Sequence, residues 1–319
     1  MKILHTYPPD LPQLAHYVSM LTTAMEGMVE MQTTTSAKGM TQLCKEWRPD
    51  IVHIHGVMAT QPPRNVRTVV SPHGTEVSLR AYVVIARSPL ERERLRNAGQ
   101  QRIEVVPNPI LTRTVSARET ARMMMEAYQR VADSNVRELM DQPTLDMMQT
   151  LLKAGITGDR RWVSQKEVHT NANWRQLAIY FHMEGLDTLF ENGIATLGIT
   201  PPAIDVANIK TYLPDNYESP EQLNTNSIPI LLDAMAEEIK QKNMSLSRIV
   251  ELHQALLSPT LDEEKLLNEL AKERQQMLAR LLWIASEETL LDEGFMPLNP
   301  MCDRQAKQIY NLIKKHLKI

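Results

Sequence analysis

The chain is short of several things, and each shortage removes a class of protein. Of its 319 residues only two are cysteine, Cys44 and Cys302. Two distant thiols cannot form a disulfide framework; they fit a reducing compartment and are too few to hold a metal without histidine. Glycine numbers 11 and phenylalanine 3, and scarce glycine leaves little material for phosphate-cradling loops. No sign of charge dominates: 35 Lys and Arg face 38 Asp and Glu, a net charge of −3, so nothing global points to nucleic acid or an anionic membrane. No apolar run approaches membrane-spanning length. The opening Met1-Lys2-Ile3-Leu4-His5 is too short, with its histidine too early, for an export signal. Serine-hydrolase elbow, P-loop and zinc-ribbon spacings are also missing. A cytoplasmic protein with no transmembrane segment and no nucleic-acid partner is expected.

What is present suffices for large cores. Hydrophobic residues make up 43% of the chain, and its length suits one large domain or two ordinary ones. Nineteen methionines suit helical cores built from Met and Leu, or adaptable contact surfaces. The first third alternates short β-branched runs with helical spacing. Strands are expected at residues 2–6, 29–35, 51–55, 66–71, 82–86 and 103–106, and helices at 11–25, 37–47 and 89–98. That alternation implies a parallel, wound sheet. After Pro109 the texture turns helical. Ser116-Ala117-Arg118-Glu119 has capping-box spacing and opens a helix to about Asp133. Further helices are expected at 228–242, 246–257, 261–291 and 304–317, with Thr260 opening the third by a second capping box. The region 213–226 reads as a loop or subdomain joint.

Three stretches come in a fixed order: Pro49-Asp50-Ile51-Val52-His53-Ile54-His55-Gly56; Val69-Val70-Ser71-Pro72-His73-Gly74; and Val83 to Ser88, running on to Val105-Val106-Pro107-Asn108-Pro109. Each is a buried-strand pattern that stops at a polar, Gly or Pro residue, and the carboxyl ends of such strands are where α/β folds place ligands. Order and wording resemble the N-terminal half of family 4 glycosyltransferases, over about a third of the chain. The resemblance implies a Rossmann-like domain facing a cleft, His73 as the catalytic residue toward a sugar donor, His55, Gly74 and Asn108 as ligand-binding residues, and a nucleotide sugar or glycan acceptor as partner. It also implies a setting in surface polysaccharide or glycoconjugate synthesis.

The sequence departs from the family pattern in three places. The loop after the first strand, Tyr7-Pro8-Pro9-Asp10-Leu11-Pro12, has no glycine where the family cradles donor phosphate, and its three prolines offer no N–H. Only residues 75–80 separate His73-Gly74 from the next strand, where the family has a long helical excursion. No donor-binding half is recognisable: Asp233-Ala234-Met235-Ala236 stands eight positions after Thr225, not after a glutamate, and reads as ordinary helix.

Other candidates have plainer explanations. His53 and His55 share one face of a strand and could ligate a metal, but no third ligand is signalled nearby; no metal and no cofactor are expected. The Asp159–Trp162 loop reads as surface. His169, Trp174, His182 and Glu184 fit no metalloprotease spacing; Trp174, Leu177, Phe181 and Leu189 read as one core face. Lys307, Lys314, Lys315 and Lys318 make the last helix basic, a solvated face or a membrane-docking one.

The expected fold class is α/β plus α: a Rossmann-like domain over residues 1–112, then a helical domain over 113–319. The functional reading is a degenerate glycosyltransferase-related protein that, if it transfers sugar, needs a partner to complete the site. The alternative is a non-catalytic interaction or regulatory protein on the same scaffold, its helical region an assembly module that takes a protein partner.

Overall fold

The structure is a computed structural model, and it describes residues 1–56, 66–74, 81–112, 115–162, 169, 171–204, 206, 209–213 and 217–317, without the Trp162 side chain. Contact clustering divides the chain into two compact units, Met1–Ala132 and Asp133–Ile319. Residues 75–80, the short link that stands where the family has a helical excursion, lie outside the described residues, as do Lys318 and the Trp162 side chain.

The first unit is a six-stranded, wholly parallel sheet: β1 (Lys2–Thr6), β2 (Glu30–Thr34), β3 (Ile51–His55), β4 (Arg67–Ser71), β5 (Val83–Ala86) and β6 (Ile103–Val105), in the order β2-β1-β3-β4-β5-β6. Helices α1 (Pro12–Ala24), α2 (Ala37–Glu46), α3 (Pro89–Asn97), α4 (Pro109–Thr112) and α5 (Ala117–Asp133) follow in chain order. Strands β3 and β5 are buried throughout, as in sheets covered on both faces. Starts are set by side-chain caps: Ser36, Ser88 and Ser116 hydroxyls accept from the N–H groups of Gly39, Glu91 and Glu119. The expected boundary at 112 precedes α5, yet α5 stays with the sheet. Its Met124 and Tyr128 are fully buried, Thr120 Oγ1 donates to the Pro107 carbonyl at 3.1 Å, and Arg130 pairs with Glu104 at 3.0 Å.

The second unit is helical, with no strand among its described residues. It comprises α6 (Val136–Leu139), α7 (Gln142–Thr157), α8 (Trp174–Met183), α9 (Asp187–Leu197), α10 (Ile228–Gln241), α11 (Leu246–Leu256), α12 (Glu263–Glu269), α13 (Lys272–Thr289) and α14 (Arg304–Lys314). The single helix expected over 261–291 is two. Leu270 and Ala271 are extended, and the Gln275 amide donates to the Leu267 and Leu270 carbonyls, satisfying the break. The first piece starts two residues later than the capping-box reading, with Asp262 as its cap. Leu189 sits on α9, apart from the α8 face of Leu177 and Phe181.

Buried charge is paired. Arg137 holds Glu288 at 2.6 Å, and Arg248 holds both Glu238 and Glu251 at 2.6 Å. The fully buried Glu184 accepts from the Leu246 N–H at 3.0 Å and stands 3.3 Å from His316. Such pairs stabilise little against a hydrophobic substitute but cost several kcal/mol when one partner is removed. Ile309 and Ile313 bury the apolar face of α14, Leu317 packs into the same core just past its end, and Lys314 lies over the Tyr310 ring. That face is therefore covered. A groove of about 780 Å³ is lined by α10, α13 and α14, among them Ala236, Ile239, Met277 and Leu312. Among the described residues no helix is long and apolar enough to cross a membrane.

Helices α7 and α9 approach backbone to backbone through glycine. A Cβ at Gly193 would lie 2.5 Å from the Leu151 carbonyl oxygen, and one at Gly155 the same distance from that of Leu189. Gly193→Ala should cost roughly 1–3 kcal/mol, read as a lower denaturant midpoint for the helical unit. His253 supplies a pH test. It is buried against Thr289 Oγ1 at 2.8 Å, and burial holds its pKa at about 4, with Asp292 raising and Lys153 lowering it to lesser extents. Between pH 6.5 and 4 the unfolded chain takes a proton at this residue that the folded chain does not. The stability it confers is therefore complete above pH 6.5 and falls by about 3 kcal/mol as pH drops toward 4. In acid denaturation His253→Gln should lose stability less steeply over that window than the wild type.

Candidate functional site

The carboxyl ends of β1, β3 and β4 converge on a packed group of imidazole and phenol rings. The parallel register sets His5 beside His53 across β1 and β3, and His55 beside Ser71 across β3 and β4. Period two brings His53 and His55 to one face. All three of His5, His53 and His55 are completely buried. His53 and His55 stack with ring centroids 4.0 Å apart, and His5 and His55 stack at 5.3 Å. Tyr17 from α1 presents its edge to His55 and His73, and Tyr128 from α5 presents its edge to His53.

Hydrogen bonds link the rings in series. His73 Nε2 is 3.2 Å from His55 Nδ1, and His55 Nε2 is 3.0 Å from His5 Nδ1. His5 Nε2 ends the series with no partner among the described residues. His53 stands beside it, with Nδ1 2.5 Å from the Tyr128 hydroxyl and Nε2 2.8 Å from Ser71 Oγ. Burial in this space favours the uncharged imidazoles. It holds His5 and His73 at about 4, with Arg87 lowering His73 further and Glu91 opposing. His53 and His55 are pushed well below their ordinary value, first by burial and then by neighbouring histidines. The group is thus a set of neutral nitrogen donors and acceptors.

Of the four residues singled out from the sequence, three gather here. His55 lies inside the group and His73 at its margin, partly exposed. His73 has φ +53 and Gly74 φ +93, a left-handed turn that is rare for a non-glycine residue and is often found at functional sites. A Cβ at Gly74 would come within 3.1 Å of an Arg87 guanidinium nitrogen, so the turn's bareness lets Arg87 close over it. Glu91 accepts from Arg87 through its backbone N–H at 2.6 Å and its guanidinium at 3.1 Å. Asn108 is elsewhere: its Oδ1 accepts from the Ile110 N–H at 2.9 Å and its carbonyl from Leu111, so its contacts start α4.

His5 is the residue that sequence reasoning passed over. Its nitrogen and those of His53 and His55 lie within 4.8 Å of one another, close enough to hold one metal ion. The third donor comes from a strand nearly fifty residues away in sequence, and the available signal was a histidine one residue before the end of the expected first strand. The other cluster considered does not assemble among the described residues: His169 pairs with Asp146 at 3.6 Å, His182 with Asp187 at 3.1 Å, and Glu184 with His316. Arg161 folds back onto Asp159 at 2.6 Å and is solvent-facing.

Removing the Tyr128 hydroxyl would leave His53 Nδ1 buried without its partner. Tyr128→Phe should cost about 1–3 kcal/mol, measured as a lower unfolding midpoint with an unchanged circular dichroism spectrum.

No curated protein and no solved structure matches the chain. Residues 31–113 match the family model described as Glycosyltransferase Family 4. The match takes in β2 through β6 and both His55 and His73, and covers about a quarter of the chain. It begins after the proline-rich loop and ends before the helical unit, so this segment of the parallel-sheet unit is similar to the N-terminal Rossmann-like half of family 4 glycosyltransferases.

Proposed function

We propose that the chain is a glycosyltransferase-related protein of surface polysaccharide or glycoconjugate synthesis that does not transfer sugar by itself. The observation that carries this reading is the filled carboxyl end of the sheet between β1 and β3. A side chain at Gly56 would meet Leu14 at 3.0 Å and the Pro8 ring at 3.8 Å, so the loop after β1 packs down on the end of β3. Behind it stand the rings of His5, His55 and Tyr17, each buried. Pro8, Pro9 and Pro12 supply no N–H to a phosphate there. Binding and turnover of a nucleotide sugar then depend on a second protein, with the helical unit as the assembly module and its groove between α10, α13 and α14 as one contact surface.

A second reading, a cleft that still binds donor or acceptor, is favoured by one feature. His73, Gly74 and Arg87 keep solvent exposure beside the buried rings, and His73 can donate to or accept from a ligand oxygen.

Thermal denaturation with a panel of nucleotide sugars and free nucleotides separates the two, with His73→Ala as control. We expect no stabilisation and no hydrolysis or transfer by the chain alone. A ligand that binds at a hundred times its dissociation constant adds about 2.7 kcal/mol. A dose-dependent rise with one nucleotide class, lost in His73→Ala, would overturn the filled-cleft reading and establish a cleft that binds, and transfer or hydrolysis by the chain alone would overturn the non-transferring reading.

A further inference from the structure

We propose that His5, His53 and His55 form a binding site for one divalent transition-metal ion of the zinc class. The proposal does not depend on the sugar-transfer reading, because the site is defined by its own donors.

The donors suit such an ion. Imidazole nitrogen is a preferred ligand of zinc, nickel and copper, and a three-histidine set with one open position is a common zinc arrangement. Two nitrogens bound to one tetrahedral ion at about 2.0–2.1 Å sit about 3.3 Å apart. His5 Nδ1 and His55 Nε2 are 3.0 Å apart, so these two need only a small spread. The third donor lies within 4.8 Å of both, and a side-chain rotation of His53 closes the set. All three rings are fully buried, so protein rather than bulk water surrounds the donors.

The surroundings also match a metal site. A ligating histidine usually engages its second ring nitrogen with a neighbour that orients it. His55 does so with Nδ1 on His73, and His53 does so with Tyr128 or Ser71, whichever nitrogen it gives up. His5 alone has a spare ring nitrogen, Nε2, buried and unpartnered among the described residues. Its Nδ1 already faces His55 Nε2, so Nδ1 is the nitrogen that would meet the ion. The position in the fold points the same way. From β1 the chain goes to β2 on one side and to β3 on the other, and that reversal is where open α/β sheets bind ligands. No carboxylate touches the three rings in the described contacts, so a bound dication would keep both charges with water in the fourth position and one charge with hydroxide there, the water's proton passing to solvent.

The test is cobalt titration of chelator-treated, full-length chain, followed by visible absorption and zinc competition. We expect one equivalent of Co²⁺ to give a tetrahedral spectrum, zinc to abolish it, and zinc to raise the unfolding temperature reversibly with chelator. His5→Phe and His55→Phe should weaken binding by at least about tenfold, with folding checked by circular dichroism. His16→Ala, an exposed histidine on α1, should leave it unchanged. If the Phe variants fail to fold, the wild-type spectrum decides. A folded wild-type chain that gives no tetrahedral spectrum overturns the proposal, leaving a neutral hydrogen-bonded cluster; so does a spectrum that persists undiminished in folded His5→Phe or His55→Phe, or one that is lost in His16→Ala.

Discussion

The parallel register between β1 and β3 is the constraint on which the N-terminal unit turns. By pairing His5 with His53 it puts three imidazoles on one side of the sheet at its carboxyl end. Backbone hydrogen bonding fixes that register, and a slip by one residue would turn every side chain of a strand to the opposite face. The rings then pack on one another and on Tyr17 and Tyr128, so α1 and α5 are held to the sheet through the same group of side chains. The polar centre of this unit is therefore part of its core.

That arrangement carries a cost that an apolar core would avoid. Three imidazoles are withdrawn from water and His73 partly so, and the surroundings disfavour a charge on any of them. Tyr128 and Ser71 satisfy His53, and His73 satisfies one side of His55. Fully satisfied networks of this kind rigidify a core, whereas an unsatisfied buried group calls for an explanation of its own, such as a bound ion or water. The unpartnered nitrogen of His5 places this network in the second category, which is why the metal reading and the filled-cleft reading arise from the same rings.

The helical unit follows a different logic. Its core is built of Met, Leu and Ile, with glycine admitting close contact between α7 and α9 and buried Arg–Glu pairs linking α6 to α13 and α11 to α10. Its helix ends are where local sequence was least informative. Residues 261–291 keep helical spacing throughout, yet the chain breaks at Leu270, because burying Leu266 and Leu270 against the bundle outweighs continuing one helix and Gln275 can satisfy the freed carbonyls. Propensity cannot register that competition, since both outcomes have the same local sequence.

Local pattern determined the parallel sheet, the order of strands and helices, the serine caps and the likeness to a family 4 half. β-branched runs, capping residues and strand-end motifs are encoded within a few neighbouring residues. It also brought out His55, His73 and Gly74, because strand ends in an α/β fold are where side chains meet. Only the tertiary structure decided that His55 is buried within a core, that Asn108 starts a helix, that α5 belongs with the sheet, and that His5 completes a trio of histidines. The Asn108 turn is closed by its own neighbours, but the other three depend on which segments become neighbours and in what register, and that is set by long-range hydrogen bonding and packing between segments whose own sequences carry no record of one another.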